Sequence, residues 1–267
     1  MSPSHPNRVR SEYEPNRVLI IAEPGGTHDG RLDLMHRLVD VAADCGADVF
    51  KSQWTSSATT MCARRHAPSY LDDYRKIEYP LVWHSELTAH ARNRGLKYAC
   101  TAYLPGDPEK LEPYVDILKI SSFEAGDASL IRDAYYVAPL VIVSLGMGAL
   151  ANRLEFPRIK YLHCVSSYPA PLDSLQLRYG TGDDGLSDHS RDVRVGGWAV
   201  CAGAMILETH FRLDDCNPVN KDYSVAFTPK EFATYVENVR DAELVLGHQG
   251  HGVRPCEQPM LSYRVHG

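Results

Sequence analysis

No apolar run in the 267 residues approaches the ~18 or more that a bilayer-crossing helix needs, so no membrane anchor is expected. Met1 to Asn16 lacks the apolar centre of a signal peptide and reads as a loose leader. The seven cysteines are odd in number and include no CxxC pair. They read as reduced thiols packed as small apolar side chains, and a cytoplasmic location is expected. An excess of basic charge is also missing. Lys and Arg number 28 against 34 Asp and Glu, for a formal net charge of −6. That balance argues against non-specific nucleic-acid binding and leaves an anionic metabolite open. No domain-sized linker, internal repeat or low-complexity tract is found. With 44% hydrophobic and 23% charged residues, the composition excludes a disordered or collagen-like chain.

The residues present alternate between two periods. Short apolar runs start at Val18, Asp48, Lys97, Asp116, Leu140, Ile159, Gly185 and Ile206. Helical spacing recurs at Leu34, Leu38, Val41, Ala42 and Cys45, over Trp83–Asn93, Asp107–Tyr114 and Ala128–Val137, and after Thr228. Thr228, Pro229 and Glu231 predict an N-cap, N1 and capping box, with Phe232, Val236, Val239 and Leu246 as the apolar face. Strands buried on both faces read as continuous apolar runs, as these do. The length suits one barrel of about 250 residues, so a single (β/α)8 barrel is the economical fold. A doubly wound sheet is the alternative. However, the first turn, Glu23-Pro-Gly-Gly-Thr-His-Asp-Gly30, is not the GxGxxG expected there.

Seven of the eight strands end in, or run into, polar groups. These are Glu23, Lys51 with Gln53, Lys119 with Ser122 and Glu124, Ser144, His163 with Ser166 and Tyr168, Ser187 with Asp188 and His189, and Glu208 with His210. A barrel gathers these ends on one face, where active sites form. Any one of them could be a salt-bridged or hydrogen-bonded structural residue. Buried Lys and Glu are costly unless paired, so the joint pattern points to a shared site. Lys51 and Lys119 suit a phosphate or carboxylate, with Ser144, Ser166 and Ser187 as further donors. His189 and His210 suit a divalent metal with open positions. His28 is either a functional group of the first turn or simply its cap, and His248, His251 and His266 read as solvated. Nucleophilic catalysis has weak support, since Ser144 is not in a GxSxG elbow and no cysteine has an obvious adjacent base.

Seven blocks then appear in order: Ile20 to Gly30, Phe50-Lys-Ser-Gln53, Leu118-Lys-Ile-Ser-Ser122, Ser144-Leu-Gly-Met147, Leu162-His-Cys-Val-Ser-Ser-Tyr-Pro-Ala-Pro171, Gly185-Leu-Ser-Asp-His189 and Leu207-Glu-Thr-His-Phe211. From about Val18 to Gly247 the chain closely resembles the N-acetylneuraminate (sialic acid) synthase family. The resemblance implies a TIM barrel that condenses phosphoenolpyruvate with an aldose of the N-acetylmannosamine type. The products would be a 2-keto-3-deoxy sugar acid and phosphate. It implies Mn2+ or Mg2+ at His189 and His210, and phosphoenolpyruvate at Lys51, Lys119, Ser122, Ser144, Ser166 and Ser187. It implies sugar contacts at Glu23, Gln53, Tyr168, Glu208 and Asp222. Glu23, Lys119 and His210 would be the catalytic groups.

Departures from the family pattern fall on the acceptor side and the outer wall. Residues 17–250 are expected to form the barrel and 251–267 a tail. The family's small antifreeze-like C-terminal domain, which supplies an arginine across a dimer, is expected to be absent. The fifth and sixth helical connections, Met147 to Ile159 and Leu177 to Gly185, are short. Such a wall would expose apolar strand surface, so a homo-oligomer is expected. Trp54 to Glu78, with Arg64, Arg65 and His66, reads as a solvated loop or a contact for an anionic acceptor. Two further functions stay open. One is the same phosphoenolpyruvate chemistry on a nucleoside or antibiotic precursor. The other is a trimmed, non-catalytic binding subunit.

Overall fold

A computed structural model describes residues 17–148, 153–177, 179, 183–247 and 252–265. The leader expected at residues 1–16, and His248, His251 and His266, lie outside the described residues. Eight parallel strands close a barrel in chain order. They are β1 (Leu19–Glu23), β2 (Val49–Gln53), β3 (Lys97–Thr101), β4 (Ile117–Ile120), β5 (Val141–Leu145), β6 (Ile159–Cys164), β7 (Gly185–Asp188) and β8 (Ile206–His210). Ile21, Val49, Ala99, Ile117, Ile142, Leu162 and Ile206 fill the barrel floor. Residues of opposite phase, such as Phe50, Leu118 and Leu207, face an outer core under the helices. Gly185 is dictated by close approach, because a Cβ there would lie 1.7 Å from the Ile206 carbonyl oxygen.

Helices α1 (Leu32–Asp44), α4 (Trp83–Asn93), α5 (Asp107–Leu111), α6 (Ala128–Val137), α7 (Val195–Cys201) and α8 (Pro229–Leu246) lie between or after the strands. The capping box at Thr228 and Glu231 forms as expected. Phe232, Val236 and Val239 are buried, but Leu246 is half exposed in the last turn. The buried stripe of α1 is Met35, Leu38, Val39 and Ala42, shifted from the spacing read in the sequence. Pro255–Tyr263 form a 3-10 helix with no buried side chain. Among the described residues, no helix is long and apolar enough to cross a membrane.

Two expectations need correction. The outer wall at β5 and β6 does not expose apolar strand surface: Val141, Val143, Leu145, Ile159 and Tyr161 are all buried. Among the described residues these two connections hold no α-helix, and Leu154, Phe156, Leu175, Leu177 and Tyr179 of irregular chain pack on the outer core instead. Phe156 stacks on Tyr135 with ring centroids 4.4 Å apart. Leu154 donates its N–H to the Tyr161 hydroxyl at 2.7 Å and accepts from it at 3.0 Å. With these strands covered within the chain, no bare wall here calls for a second copy. Residues 54–78 are likewise no plain loop. They form α2 (Ala58–Arg64), a 3-10 turn at Pro68–Tyr70, and α3 (Leu71–Lys76). Met61 and Cys62 of this insertion pack on Tyr103 and Leu104 beyond β3.

Candidate active site

Strand alternation builds a polar chamber on the apolar floor. On β2, Val49 packs in the floor and Lys51 stands one layer higher, with Gln53 above it. On β8, Ile206 is the floor residue and Glu208 the next inward one. The same phase carries Glu23, Thr101, Lys119, Ser144, Cys164 and Ser187 to the wall of a cavity of about 340 Å3. Tyr103, Ser121, Ser122, Tyr168 and His189 line its rim.

Four buried charges face one another at the centre. Lys51 pairs closely with Glu23 and lies 3.9 Å from Glu208. Lys119 is 3.8 Å from the other Glu208 oxygen. Lys51 donates to the Thr101 hydroxyl at 2.8 Å, and Lys119 to the Ser144 hydroxyl at 2.7 Å. Ser187 donates to Glu208 at 3.1 Å, and the Gly25 N–H donates to Glu23 at 2.6 Å. Burial pushes the Glu23 carboxyl above its ordinary range, against the pull of Lys51. Burial also pulls Lys119 below the ordinary lysine range, with Glu208 opposing. Lys51 is held above it, because Glu208 and Glu23 outweigh its desolvation. For Glu208, Lys119 and Lys51 overcome burial and keep the carboxylate ionised. Two ammoniums and two carboxylates cancel, so the chamber is near neutral before any anion enters.

Tyr168, joined to Pro169 by a cis peptide, covers the two histidines. Its ring lies 4.3 Å from His189 and 6.3 Å from His210, and the two imidazoles are 5.4 Å apart. His189 Nδ1 donates to the Val165 carbonyl at 2.9 Å, which leaves its Nε2 as the lone-pair nitrogen. His210 Nδ1 is buried with no hydrogen-bond partner among the described residues. Burial lowers the His210 pKa, with Asp222 opposing, so the ring is neutral near pH 7. Asp222 accepts from the Gly26 N–H at 2.7 Å. A Cβ at Gly25, whose φ is +57°, would come within 2.5 Å of Asp222 Oδ2 and 3.1 Å of His210 Nδ1. The glycine keeps that space open.

Of the residues expected at the site, Glu23, Lys51, Gln53, Lys119, Ser122, Ser144, Tyr168, Ser187, His189 and Glu208 line the cavity. Ser166 joins through Ser122, their hydroxyls 2.8 Å apart, while His210 and Asp222 flank it. Three strand-end residues do not belong. His163 is on the outer side of β6, out of phase with Leu162 and Cys164. Glu124 holds Arg65 in a two-pronged ion pair at 2.7 and 2.8 Å. Asp188 lies on the outer phase of β7, where its carboxylate accepts from the Ser190 N–H at 2.8 Å. Arg65 is therefore neutralised, and so is Arg64 by Asp127, which removes them as ready contacts for an anionic acceptor. His28 caps its turn, its Nδ1 accepting from the Gly30 N–H at 3.1 Å. Thr101, Tyr103 and Cys164 went unrecognised in the sequence. Continuing the inward phase of Ala99 would have found Thr101, and that of Leu162 would have found Cys164. The Cys164 sulfur lies 3.8 Å from His189 Nδ1, the nitrogen that carries the proton given to Val165, so it faces a donor rather than a base. Burial raises this thiol, yet His189 and Lys119 bring it net below the ordinary value.

This arrangement has known counterparts. The NeuB family model matches residues 38–251. The chain belongs to the NeuB family. A relative from Campylobacter jejuni, N,N'-diacetyllegionaminic acid synthase, is 29% identical over 86% of this chain and 78% of its own length. The human N-acetylneuraminate-9-phosphate synthase is 27% identical over 89% of this chain and 74% of its own. Among solved structures, the N-acetylneuraminic acid (sialic acid) synthetase of Leptospira borgpetersenii superposes with a TM-score of 0.80. It is 27% identical, with 93% of this chain and 92% of that one covered. A truncated 3-deoxy-D-arabino-heptulosonate 7-phosphate synthase of Thermotoga maritima, at 14% identity and a TM-score of 0.63, shares the fold. The described NeuB relatives are synthases, and membership places this chain among such enzymes.

Proposed function

We propose that this NeuB-family chain condenses phosphoenolpyruvate with a sugar aldehyde of the N-acetylmannosamine type, giving a sialic-acid-type 2-keto-3-deoxy acid and phosphate. The observation that carries the reading is the neutral cluster of Lys51, Lys119, Glu23 and Glu208, ringed by serine hydroxyls, at the barrel's C-terminal mouth. Lys51 and Lys119, with Ser122, Ser144, Ser166 and Ser187, are the groups for the phosphate and carboxylate of phosphoenolpyruvate. Gln53, Tyr168, Glu208 and Asp222 are the groups for the sugar.

C3 of phosphoenolpyruvate forms the new bond to the aldehyde carbon, whose oxygen takes up a proton. Water adds at C2, giving up one proton; the bond from C2 to the phosphate oxygen then breaks as the new C2 hydroxyl becomes the keto oxygen, and its proton leaves with phosphate. Glu23, with its raised carboxyl pKa, is suited to take the proton from that water. Lys119, desolvated and aimed at Ser144, offsets charge as phosphate departs. Because the protein charges cancel, the substrate anion needs a further counter-charge. His189 and His210 fit a divalent ion such as Mn2+ or Mg2+: both are neutral-type donors, and one buried His210 nitrogen has no partner. Among the described residues no group of three or more His, Cys, Asp or Glu converges on such a site, so these two imidazoles would hold it with substrate or water oxygens. A bound ion would supply Lewis-acid polarisation of the aldehyde.

The test is phosphate release from phosphoenolpyruvate with Mn2+ and a panel of aldoses, before and after chelation. Aldehyde-dependent release lost on chelation and restored by Mn2+ is expected. Full activity without metal removes the role of the histidine pair. Tight phosphoenolpyruvate binding with no release for any aldehyde favours the binding-subunit reading instead.

A further inference from the structure

A second cavity, of about 290 Å3, adjoins the first. The two meet at Gln53 and Tyr103, which line both. The second is roofed by the α2–α3 insertion. Its lining includes Trp54, Met61, Tyr74 and Ile77, with Tyr79 behind them. Tyr103 donates its hydroxyl to Gln53 Oε1 at 2.8 Å, and Gln53 Nε2 has no partner among the described residues. The walls are fixed. The Trp54 indole N–H donates to the Tyr79 carbonyl at 3.0 Å, and Tyr79 stacks on Trp83 at 5.4 Å. Ile77 lies over Gly26, where an added Cβ would meet it at 3.2 Å.

The charges sort possible occupants. The lining holds one carboxylate, Glu78, and neither lysine nor arginine. Of the nearby cations, Arg65 is engaged by Glu124 and Lys110 by Asp107, while Lys221 stands outside the lining on the ring of Tyr74, 3.7 Å from its centroid. A phosphate would face the Glu78 carboxylate and no cation of the lining, with only neutral donors such as the Gln53 amide to meet its charge. An acylamino group suits the walls better. Its carbonyl can accept from Gln53 Nε2, and its short alkyl end can lie among the aromatic rings. Tyr103 follows β3, diametrically across the barrel from His189 after β7, so the far end of an acceptor held near the histidines reaches this side.

We propose that this cavity is the acceptor-selecting subsite, taking a neutral acylamino substituent at the end of the sugar far from the aldehyde and rejecting a phosphate there. The proposal rests on the condensation reading above and adds to it the acceptor class.

Calorimetric titration without phosphoenolpyruvate separates the two. The probes are mannose, its 4-acetamido-4-deoxy and 6-acetamido-6-deoxy derivatives, and mannose 6-phosphate. At least one acetamido sugar is expected to bind about tenfold or more tighter than mannose, and the phosphate no tighter than mannose. Ile77→Trp and Thr55→Trp, which fill the cavity from two sides, are expected to collapse the acetamido-to-mannose affinity ratio to near one. Thermal unfolding of both variants checks that they fold. Equal affinities in the wild type, a preference for the phosphate, or an acetamido preference that survives in a folded, filled variant overturns the subsite. A preference seen without phosphate release from any aldose overturns the condensation and leaves the subsite standing. Release without preference does the reverse.

Discussion

Lys51 sits between Glu23 and Glu208 with its ammonium buried, so an incoming phosphate competes with carboxylates already in place. Lys51→Ala is expected to weaken phosphoenolpyruvate binding at least about tenfold, or ~1.4 kcal/mol, in an equilibrium titration. Unchanged affinity would take Lys51 out of the site. His28 provides a different test, on stability. Burial holds its imidazole down at about 4, with Asp222 opposing, against an unfolded value near ~6.5. As pH falls, the unfolded chain takes up this proton first. Stability is therefore complete above about 6.5 and is lost progressively toward 4. Between pH 7.5 and 5 that loss is about 2 kcal/mol, and His28→Asn, which keeps an acceptor for the Gly30 N–H, should remove it. Urea unfolding at the two pH values measures it, and a pH slope identical to wild type would refute the assignment. Both residues were visible in the sequence, but by different signals. Lys51 stood out as a charge ending an apolar strand, whereas His28 could be told from a catalytic histidine only by its Gly30 contact. Thr101 and Cys164 were missed because a hydroxyl or thiol in an apolar run costs little to bury and leaves no mark.

The elements divide by what creates them. The strands and α8 were legible because each carries its own signal, an apolar run or the Thr228–Glu231 box. The insertion over Trp54–Glu78 was not. Helices α2 and α3 are seven and six residues long, too short to be stable alone, and owe their form to tertiary contacts. The chief contact is Arg65, whose guanidinium lies 4.8 to 5.7 Å from the rings of Phe123, Tyr103 and Tyr74 while gripping Glu124. This pin joins the roof of the second cavity to the loop after β4. Glu124→Ala leaves the guanidinium without its counter-charge and is expected to cost about 3 kcal/mol, with faster proteolysis inside residues 60–78. Glu124→Leu combined with Arg65→Met should recover most of the loss. Equal stability of wild type and Glu124→Ala in chemical unfolding would show that the pin carries no weight.

Across the whole molecule the barrel is backed unevenly. Helices cover β1 to β4 and β8, while β5 to β7 are backed in part by irregular chain. A short connection in the sequence does announce a missing helix. It does not reveal whether the bare strands are left open or papered over, because that depends on where a few side chains such as Leu154 and Phe156 land. Irregular cover buries the strands but forms few internal backbone hydrogen bonds, so its opening costs less than that of a helix. Phe156 is the keystone, half-buried and stacked on Tyr135, beside the Leu154–Tyr161 bonds. Phe156→Ala is expected to destabilise the fold by about 2 kcal/mol, below the usual range for a fully buried ring. Hydrogen exchange should quicken in β6 and β7 and stay unchanged in β1 to β3, where no contact is lost. Because Cys164, Ser187 and His189 end those two strands, such local opening should also weaken phosphoenolpyruvate binding without touching a residue of the chamber. Uniform acceleration over all eight strands would instead mean that the barrel opens as one unit, and that its thin side is no weaker than the rest.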